Sequence, residues 1–260
     1  MRDGPLARTF RGGALMLRGV VETWRSPAVR QSYRLVPLAI VLVTLAISGL
    51  GIGGLLHISD RLAHFSEGAQ WIRSLLTWVI GLVILLAAPL LAFFVFNLLF
   101  PLFADRPFLA GVREIDADKA RAIECLPGLS LTSSLIVSLR RMLRLLPRLA
   151  VCFLLSLIPV AGPVIAPPLS VYVLAKGTGW ELLDPYFDRK SYNYGRQLQL
   201  ITGLRWEVFG LGLVCLPVLA IPFIGPLFFG VLQAGVARFT IEMFAQEQQP
   251  APGLSQPPSL

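Results

Sequence analysis

The chain has 260 residues, of which 55% are hydrophobic and only 15% charged, and its formal net charge is +8. Soluble domains carry about a quarter charged residues, so this composition excludes an ordinary soluble protein and predicts an integral membrane protein. Basic side chains gather in cytoplasmic loops and beside anionic lipid headgroups, which explains the charge without nucleic acid as a partner.

Residues 1–34 place arginines between apolar side chains at a loose helical spacing. This pattern predicts an interfacial helix that lays an apolar side on the membrane surface. No short apolar core with a small-residue cleavage site is present, so we expect no cleaved signal peptide. The apolar side chains are Leu6, Phe10, Leu15, Leu17, Val20, Val21 and Trp24.

Two long uncharged stretches follow. Residues 35–58 would form a helix of ~36 Å, which exceeds the ~30 Å of a hydrocarbon core. Residues 74–104 are also free of charge, and they are long enough for a second span with tilt. The sequence therefore predicts two full transmembrane helices.

Two later apolar runs, 149–175 and 208–237, share a short repeat. Residues 158–164 read IPVAGPV and residues 221–227 read IPFIGPL. Proline removes a backbone donor and clashes with the preceding turn, so we expect each run to bend there, the second of them at Pro217 as well as within the repeat. Either the repeat marks two re-entrant, hemi-penetrating helical hairpins, or the match is chance and both runs cross fully.

The segment before the first hairpin is a basic amphipathic helix. Its arginines either line a vestibule that gathers anions or form a solvated or lipid-bound face. Further along, Asp184 and Asp188 either pair with these arginines or cap turns around Pro185. The arginines are Arg140, Arg141, Arg144 and Arg148.

Taken together, residues 1–245 are predicted to form a single membrane domain, followed by a disordered tail over 246–260. The net charge is +5 for residues 1–34, zero for 59–73 and +3 for 105–148. The positive-inside rule then places the N-terminus and the 105–148 region in the cytoplasm.

The sequence carries no pattern of a nucleophile with its base, of paired carboxylates or of a phosphate loop, so we predict no enzyme and no cofactor. His57 and His64 lack a third ligand nearby, and the three cysteines are far apart, so we expect neither a metal site nor disulfides. The apolar runs contain no charged residue, which favours a passive route over an ion-coupled carrier.

This arrangement resembles the CysZ sulfate permeases and the related etoposide-induced membrane proteins. The resemblance covers most of residues 25–245 and lies in the order of the spans and hairpins and in specific stretches of sequence. These stretches are 146–148 (LPR), 157–167 (LIPVAGPVIAP), 183–188 (LDPYFD, similar to the family's D-Y-P-x-D segment) and 219–230.

The resemblance implies a sulfate or oxyanion permease of the bacterial inner membrane that supplies cysteine biosynthesis. In that family a G-[LI]-R-R segment before the first span is associated with sulfate, and here the matching place, 27–31, reads PAVRQ. Ala28 replaces the glycine and Gln31 the second arginine. The substrate-binding residues it implies are Ala28, Val29, Arg30 and Arg34.

Two hypotheses of different class remain open. In the first, the chain is the permease described above; two full spans enclose no pore, so it would work as a homo-oligomer. In the second, it is a non-transporting scaffold or bilayer-shaping protein whose interfacial hairpins bind lipids or partner proteins.

Overall fold

The computed structural model shows a chain of helices joined by short turns. No strand is present among the residues it describes, which are 4–62, 71, 74–75, 78–83, 104–159, 161–219, 221 and 224–245. The predicted all-α class is therefore confirmed. The helices are α1 (Pro5–Trp24), α2 (Pro27–Ser32), α3 (Leu35–Leu62), α4 (104–115), α5 (Ala117–Glu124), α6 (Leu131–Ser156), α7 (Ala161–Leu182), α8 (Asp184–Arg189), α9 (Tyr194–Gly203), α10 (Arg205–Leu219) and α11 (Ile224–Met243).

The chain divides into two compact units. One unit contains residues 1–33 together with 104–260, and the other contains residues 34–103. The predicted single membrane domain, 1–245, is not tested by this division and stays a prediction. The predicted tail, 246–260, and most of the predicted second span, 74–104, lie outside the described residues.

The two copies of the proline-rich repeat end one helix and begin the next in the same way. The amide of Gly162 donates to the carbonyl of Ile158 at 2.9 Å, and the amide of Gly225 donates to that of Ile221, also at 2.9 Å. Pro163 and Pro226 are each the third residue of the following helix. The first turn of a helix requires no backbone donor, so proline is tolerated there. The predicted break of each apolar run into two helices at its repeat is confirmed.

The expectation that Pro217 also breaks the second run is wrong. Pro217 lies inside α10, which continues to Leu219. A proline removes one hydrogen bond to the preceding turn, and this proline is two residues from the end of the helix. Pro147 is likewise accommodated inside α6, so the basic amphipathic segment and the first arm of the hairpin form one helix of 26 residues.

Helices α6 and α7 form an antiparallel hairpin. Ser134 contacts Asp188, Arg141 contacts Asp184, and further along, a Cβ added at Gly177 would touch a methyl group of Leu145 at 3.5 Å. Each step forward along α6 is matched by a step back along the chain, from α8 into α7. The chain therefore turns back between the end of α6 and the start of α7.

Glycines let the helices of the larger unit approach each other closely. A Cβ at Gly212 of α10 would lie 1.7 Å from the Ala175 carbonyl oxygen of α7, and one at Gly12 of α1 would lie 2.0 Å from that of Glu207. Gly19 of α1 meets the carbonyl of Gly235 on α11 in the same way, at 2.0 Å. Backbone therefore packs against backbone where α1, α7, α10 and α11 meet.

Helix α1 buries its glycines together with Leu15 and Met16 and exposes several of its other large apolar residues. Gly12, Gly13 and Gly19 are buried against α10 and α11, whereas Phe10 is 77% exposed. The predicted apolar side is therefore divided: Leu15 points into the core, whereas five other apolar residues of the set face outward. These outward residues are Leu6, Phe10, Leu17, Val21 and Trp24.

Helix α3 covers the predicted first span, 35–58, as one continuous helix. Taken one at a time, the helices in the described part of the chain do not meet the length and apolarity that a bilayer crossing requires. The pair α9 and α10, bent by 90° between Gly203 and Arg205, meets that requirement jointly.

Replacing Gly212 with alanine tests the close packing of α7 on α10. The added methyl group meets backbone rather than a movable side chain, so we expect the free energy of unfolding to fall by about 1–3 kcal/mol. Thermal unfolding of the purified protein in detergent measures the change. Gly203→Ala is the control, since a Cβ there has no atom within 4 Å. Equal stability of the two variants would contradict the packing described.

Candidate functional site

The residues predicted to bind an anion lie on and just after α2. The hydroxyl oxygen of Ser26 accepts from the amide of Val29 at 3.5 Å, and the hydroxyl donates to the Glu114 carboxylate at 2.7 Å. Pro27 is the first residue of the helix, where its missing donor costs nothing. These local features fix where α2 begins and attach it to α4.

The predicted residues differ in their exposure to solvent. Ala28 and Arg30 are exposed, whereas Val29 is fully buried. The amide of Val29 is already bonded to Ser26, so it is not a free donor for an anion. The guanidinium of Arg30 donates to the carbonyl of Arg25 at 3.3 Å and forms no ion pair within the described residues. Its other donors are open to a ligand.

Tyr33 holds the end of α2 against α11. A Cβ added at Gly230 would lie 2.4 Å from the Tyr33 ring, so only glycine fits beneath the ring. Burial raises the pKa of the Tyr33 hydroxyl, and the nearby positive charge of Arg30 opposes this shift. Arg34 is exposed and belongs to the other compact unit.

Arg141 and Asp184 form a buried ion pair at the open end of the α6–α7 hairpin. The two guanidinium nitrogens donate to the two carboxylate oxygens at 2.6 and 2.5 Å, and the residues are only 9% and 5% exposed. The Ser138 hydroxyl bridges them, and the Trp180 ring centroid lies 6.0 Å from the guanidinium. Of the two roles left open for Asp184, pairing with an arginine is found, so Arg141 is neutralised.

Asp188 has a different environment. The Ser134 hydroxyl donates to one carboxylate oxygen at 2.6 Å, and the other oxygen is buried with no hydrogen-bond partner in the described part of the chain. Burial, and next the negative charge of Asp184, raise the pKa of Asp188 to about 6. The ion pair predicted for Asp188 is not found among the described residues.

Two other carboxylates at helix contacts are paired with arginines. Arg8 binds Glu207 with two bonds of 2.6 and 2.9 Å and thereby joins α1 to the start of α10. Arg189 binds Asp105, which joins α8 to α4. These two carboxylates therefore link helices of the larger unit, and exposed basic groups such as Arg140 and Arg144 lie at its surface.

Lys176 is half-buried, and after burial the positive charges of Arg148, Arg205 and Arg144 lower its pKa; we call these four residues the Lys176 cluster. Sequence reasoning considered Arg144 and Arg148 but missed Lys176 and Arg205, which are 29 residues apart in the chain. Their position near the two ends of the polar segment between the hairpins, 176–207, is the sequence feature that could have indicated them. Arg140, one turn before Arg144, is exposed and is not among the groups that act on Lys176.

Thiol and imidazole groups are not gathered at any of these places. Within the described ranges, no three His, Cys, Asp or Glu side chains come together as a metal ion would require. His57 is exposed on α3, and His64 lies outside the described residues. Cys152 and Cys215 are buried, and Cys125 is exposed. What these places offer chemically is positive charge and hydrogen-bond donors.

Comparison with known proteins gives one family. The family model described as Sulfate transporter CysZ/Etoposide-induced protein 2.4 matches residues 15–229, from within α1 to within α11. The matched range includes Ala28, Arg30 and the Lys176 cluster, and the resemblance inferred from the sequence is confirmed. No curated protein matches the chain.

Breaking the buried ion pair should be costly. Arg141→Met leaves the Asp184 carboxylate buried without its partner, so we expect the free energy of unfolding to fall by about 3–5 kcal/mol. Adding Asp184→Leu removes the stranded charge and should restore most of that loss. Thermal unfolding in detergent measures both, with exposed Arg140→Met as the control. If the single and double variants were equally unstable, the loss would come from packing alone.

The raised pKa of Asp188 predicts a pH effect on stability. The folded protein binds a proton at about pH 6, and the unfolded chain at about pH 4. Stability therefore rises as the pH falls from neutral through 6 towards 4. Asp188→Asn removes the charge and should stabilise the protein most at neutral pH and progressively less at lower pH. Unfolding measured across this range tests it, and a pH-independent difference between variant and wild type would refute it.

Proposed function

The chain belongs to the family of the sulfate transporter CysZ and the etoposide-induced protein 2.4, which is of transporter rather than enzyme type and is located in membranes. From this premise we propose that the protein is a permease for sulfate or a related oxyanion. It would supply sulfate for cysteine biosynthesis across the bacterial inner membrane, by a passive, channel-like route.

The observation that carries this proposal is the exposed guanidinium of Arg30. It lies five residues before α3, the helix over the predicted first span, and it forms no ion pair in the described part of the chain. A guanidinium presents planar, paired donors that match the oxygens of sulfate and stays charged at any physiological pH. Arg30, with Ala28 beside it, would make the first contact with the anion, and Arg34 would add charge at the start of the span.

The proposed membrane arrangement has two full spans, 35–58 and 74–104, and two hairpins, α6–α7 and α10–α11, that enter and return. The turn of the first hairpin supports this, because its apolar side chains point outward: Val164 is 71% exposed. Contact between this apolar surface and water costs roughly 25 cal/mol per Å², and hydrocarbon around the turn would remove that cost. The exposed residues at this turn are Leu154, Leu157, Ile158, Val164 and Ile165.

Orientation and assembly follow from the same arrangement. The basic excess of residues 1–34 would place the N-terminus in the cytoplasm. Two spans with re-entrant hairpins enclose no pore alone, so transport would require a homo-oligomer in which several copies surround the route.

The scaffold hypothesis is favoured by one specific observation, the outward apolar face of α1. Phe10 and Val21, both more than 70% exposed, suit a helix that lies in the lipid interface and alters bilayer shape. A permease can use the same surface as an anchor, so only a transport measurement separates the two functions.

Sulfate uptake into liposomes tests the proposal. We expect the purified protein to admit radiolabelled sulfate above empty vesicles, with sulfite and thiosulfate as competitors, and Arg30→Ala to reduce uptake at least about tenfold, as the loss of a charge-assisted contact would. Arg11→Ala is the control, because Arg11 is an equally exposed arginine of α1. Folded protein that transports nothing would favour the scaffold, and equal uptake by the two variants would reject Arg30 as the entry site.

A further inference from the structure

The Lys176 cluster lies where α6, α7 and α10 meet, and three helices supply its four charges. Lys176 comes from the middle of α7, Arg144 and Arg148 from α6, and Arg205 from the first residue of α10. Arg144 and Arg148 are one turn apart and therefore lie on one face of their helix. All three arginines are exposed, and Lys176 is half-buried among them.

The hairpin register brings Lys176 to the arginines of α6. Two contacts fix the register, the buried pair of Arg141 with Asp184 and the contact between Leu145 and Gly177. In this register Lys176 is level with the turn between Arg144 and Arg148. The Arg144 guanidinium also donates to the Tyr194 hydroxyl at 3.0 Å, which leaves the hydroxyl proton free to donate at the same place.

Aromatic contacts connect Arg205 of α10 to the part of α7 that carries Lys176. The guanidinium of Arg205 lies 5.3 Å from the ring centroid of Trp206, and this ring lies 6.3 Å from that of Tyr172. Tyr172 precedes Lys176 by one turn on the same face of α7. Trp206, with Arg205 against its ring, therefore lies beside the face of α7 that carries Tyr172 and Lys176.

No carboxylate in the described part of the chain pairs with these charges. Burial, and after it the positive charges of Arg148, Arg205 and Arg144, lower the pKa of Lys176, and no acidic group is among the causes. Within the described residues none of the four forms an ion pair, although Arg8, Arg141 and Arg189 in the same unit do. Like charges held together in this way repel each other, and an anion between them would relieve the repulsion.

We propose that the Lys176 cluster is a second anion site, which binds a tetrahedral oxyanion, either doubly charged free sulfate or the singly charged phosphodiester of a lipid headgroup. Arginine forks supply paired donors, the lysine supplies a point charge, and the Tyr194 hydroxyl adds a neutral donor. Exposed Leu143 and Leu146 beside the cluster put it at the border of an apolar surface, where either form of the anion could reach it. For free sulfate, the inference rests on the proposed function.

The test measures equilibrium binding to the full chain carrying Arg30→Ala, so that neither transport nor the other site contributes. In one arm, radiolabelled inorganic sulfate is titrated in lipid-free detergent. In the other, native mass spectrometry counts the phosphatidylglycerol molecules retained from mixed micelles. Lys176→Gln and Arg205→Gln are compared with Lys176→Arg, which keeps the charge, and with Arg140→Gln, which removes an exposed arginine of α6 outside the cluster.

We expect the two charge-removing variants to weaken binding by about tenfold or more, and Lys176→Arg and Arg140→Gln to leave it within about twofold. Weaker binding in the sulfate arm would identify free sulfate as the ligand. Weaker binding in the lipid arm alone would identify the lipid headgroup. Equal binding by Lys176→Gln and Arg140→Gln in both arms would overturn the inference. Circular dichroism and elution volume show that each variant is folded, and the liposome result for Arg30 stands independently of this outcome.

Discussion

The buried contact between Arg141 and Asp184 determines much of the larger unit. It joins the basic helix α6 to the start of α8 and closes the open end of the α6–α7 hairpin, with Ser138 and Trp180 around it. Two charges removed from water are tolerated only when they neutralise each other with good geometry. Because this pair fixes the hairpin register, it also fixes which side chains of α6 stand beside Lys176.

Charge is distributed unequally between the inside and the outside of this unit. Carboxylates such as Glu207 and Asp184 are buried and held by arginines from other helices, so they act as structural links. Other basic groups, among them Arg30 and the Lys176 cluster, lie at or near the surface and pair with no carboxylate among the described residues. A surface of this kind attracts anions, which agrees with a family of sulfate transporters.

Local chemistry explains why the helix breaks could be predicted and one proline was misjudged. In both repeats a glycine amide bonds to an isoleucine carbonyl at the same 2.9 Å, and a proline follows in the first turn of the next helix. These are short-range effects that the order of residues specifies. Pro217 lacks a backbone donor in the same way, yet it lies inside α10, near its end. Where that helix ends depends on how it packs against α7, which the sequence does not show.

The sequence by itself determined the helical class, the membrane character, the two broken runs and the family, because these depend on composition, periodicity and local backbone chemistry. It also indicated Arg30, since a short motif lies within a few residues. Only the tertiary structure decided that Val29 is buried, that Asp184 neutralises Arg141 while Asp188 stays unpaired among the described residues, and that Lys176 and Arg205 join Arg144 and Arg148. These facts depend on helix register and packing between residues far apart in the chain, and no local pattern encodes such contacts.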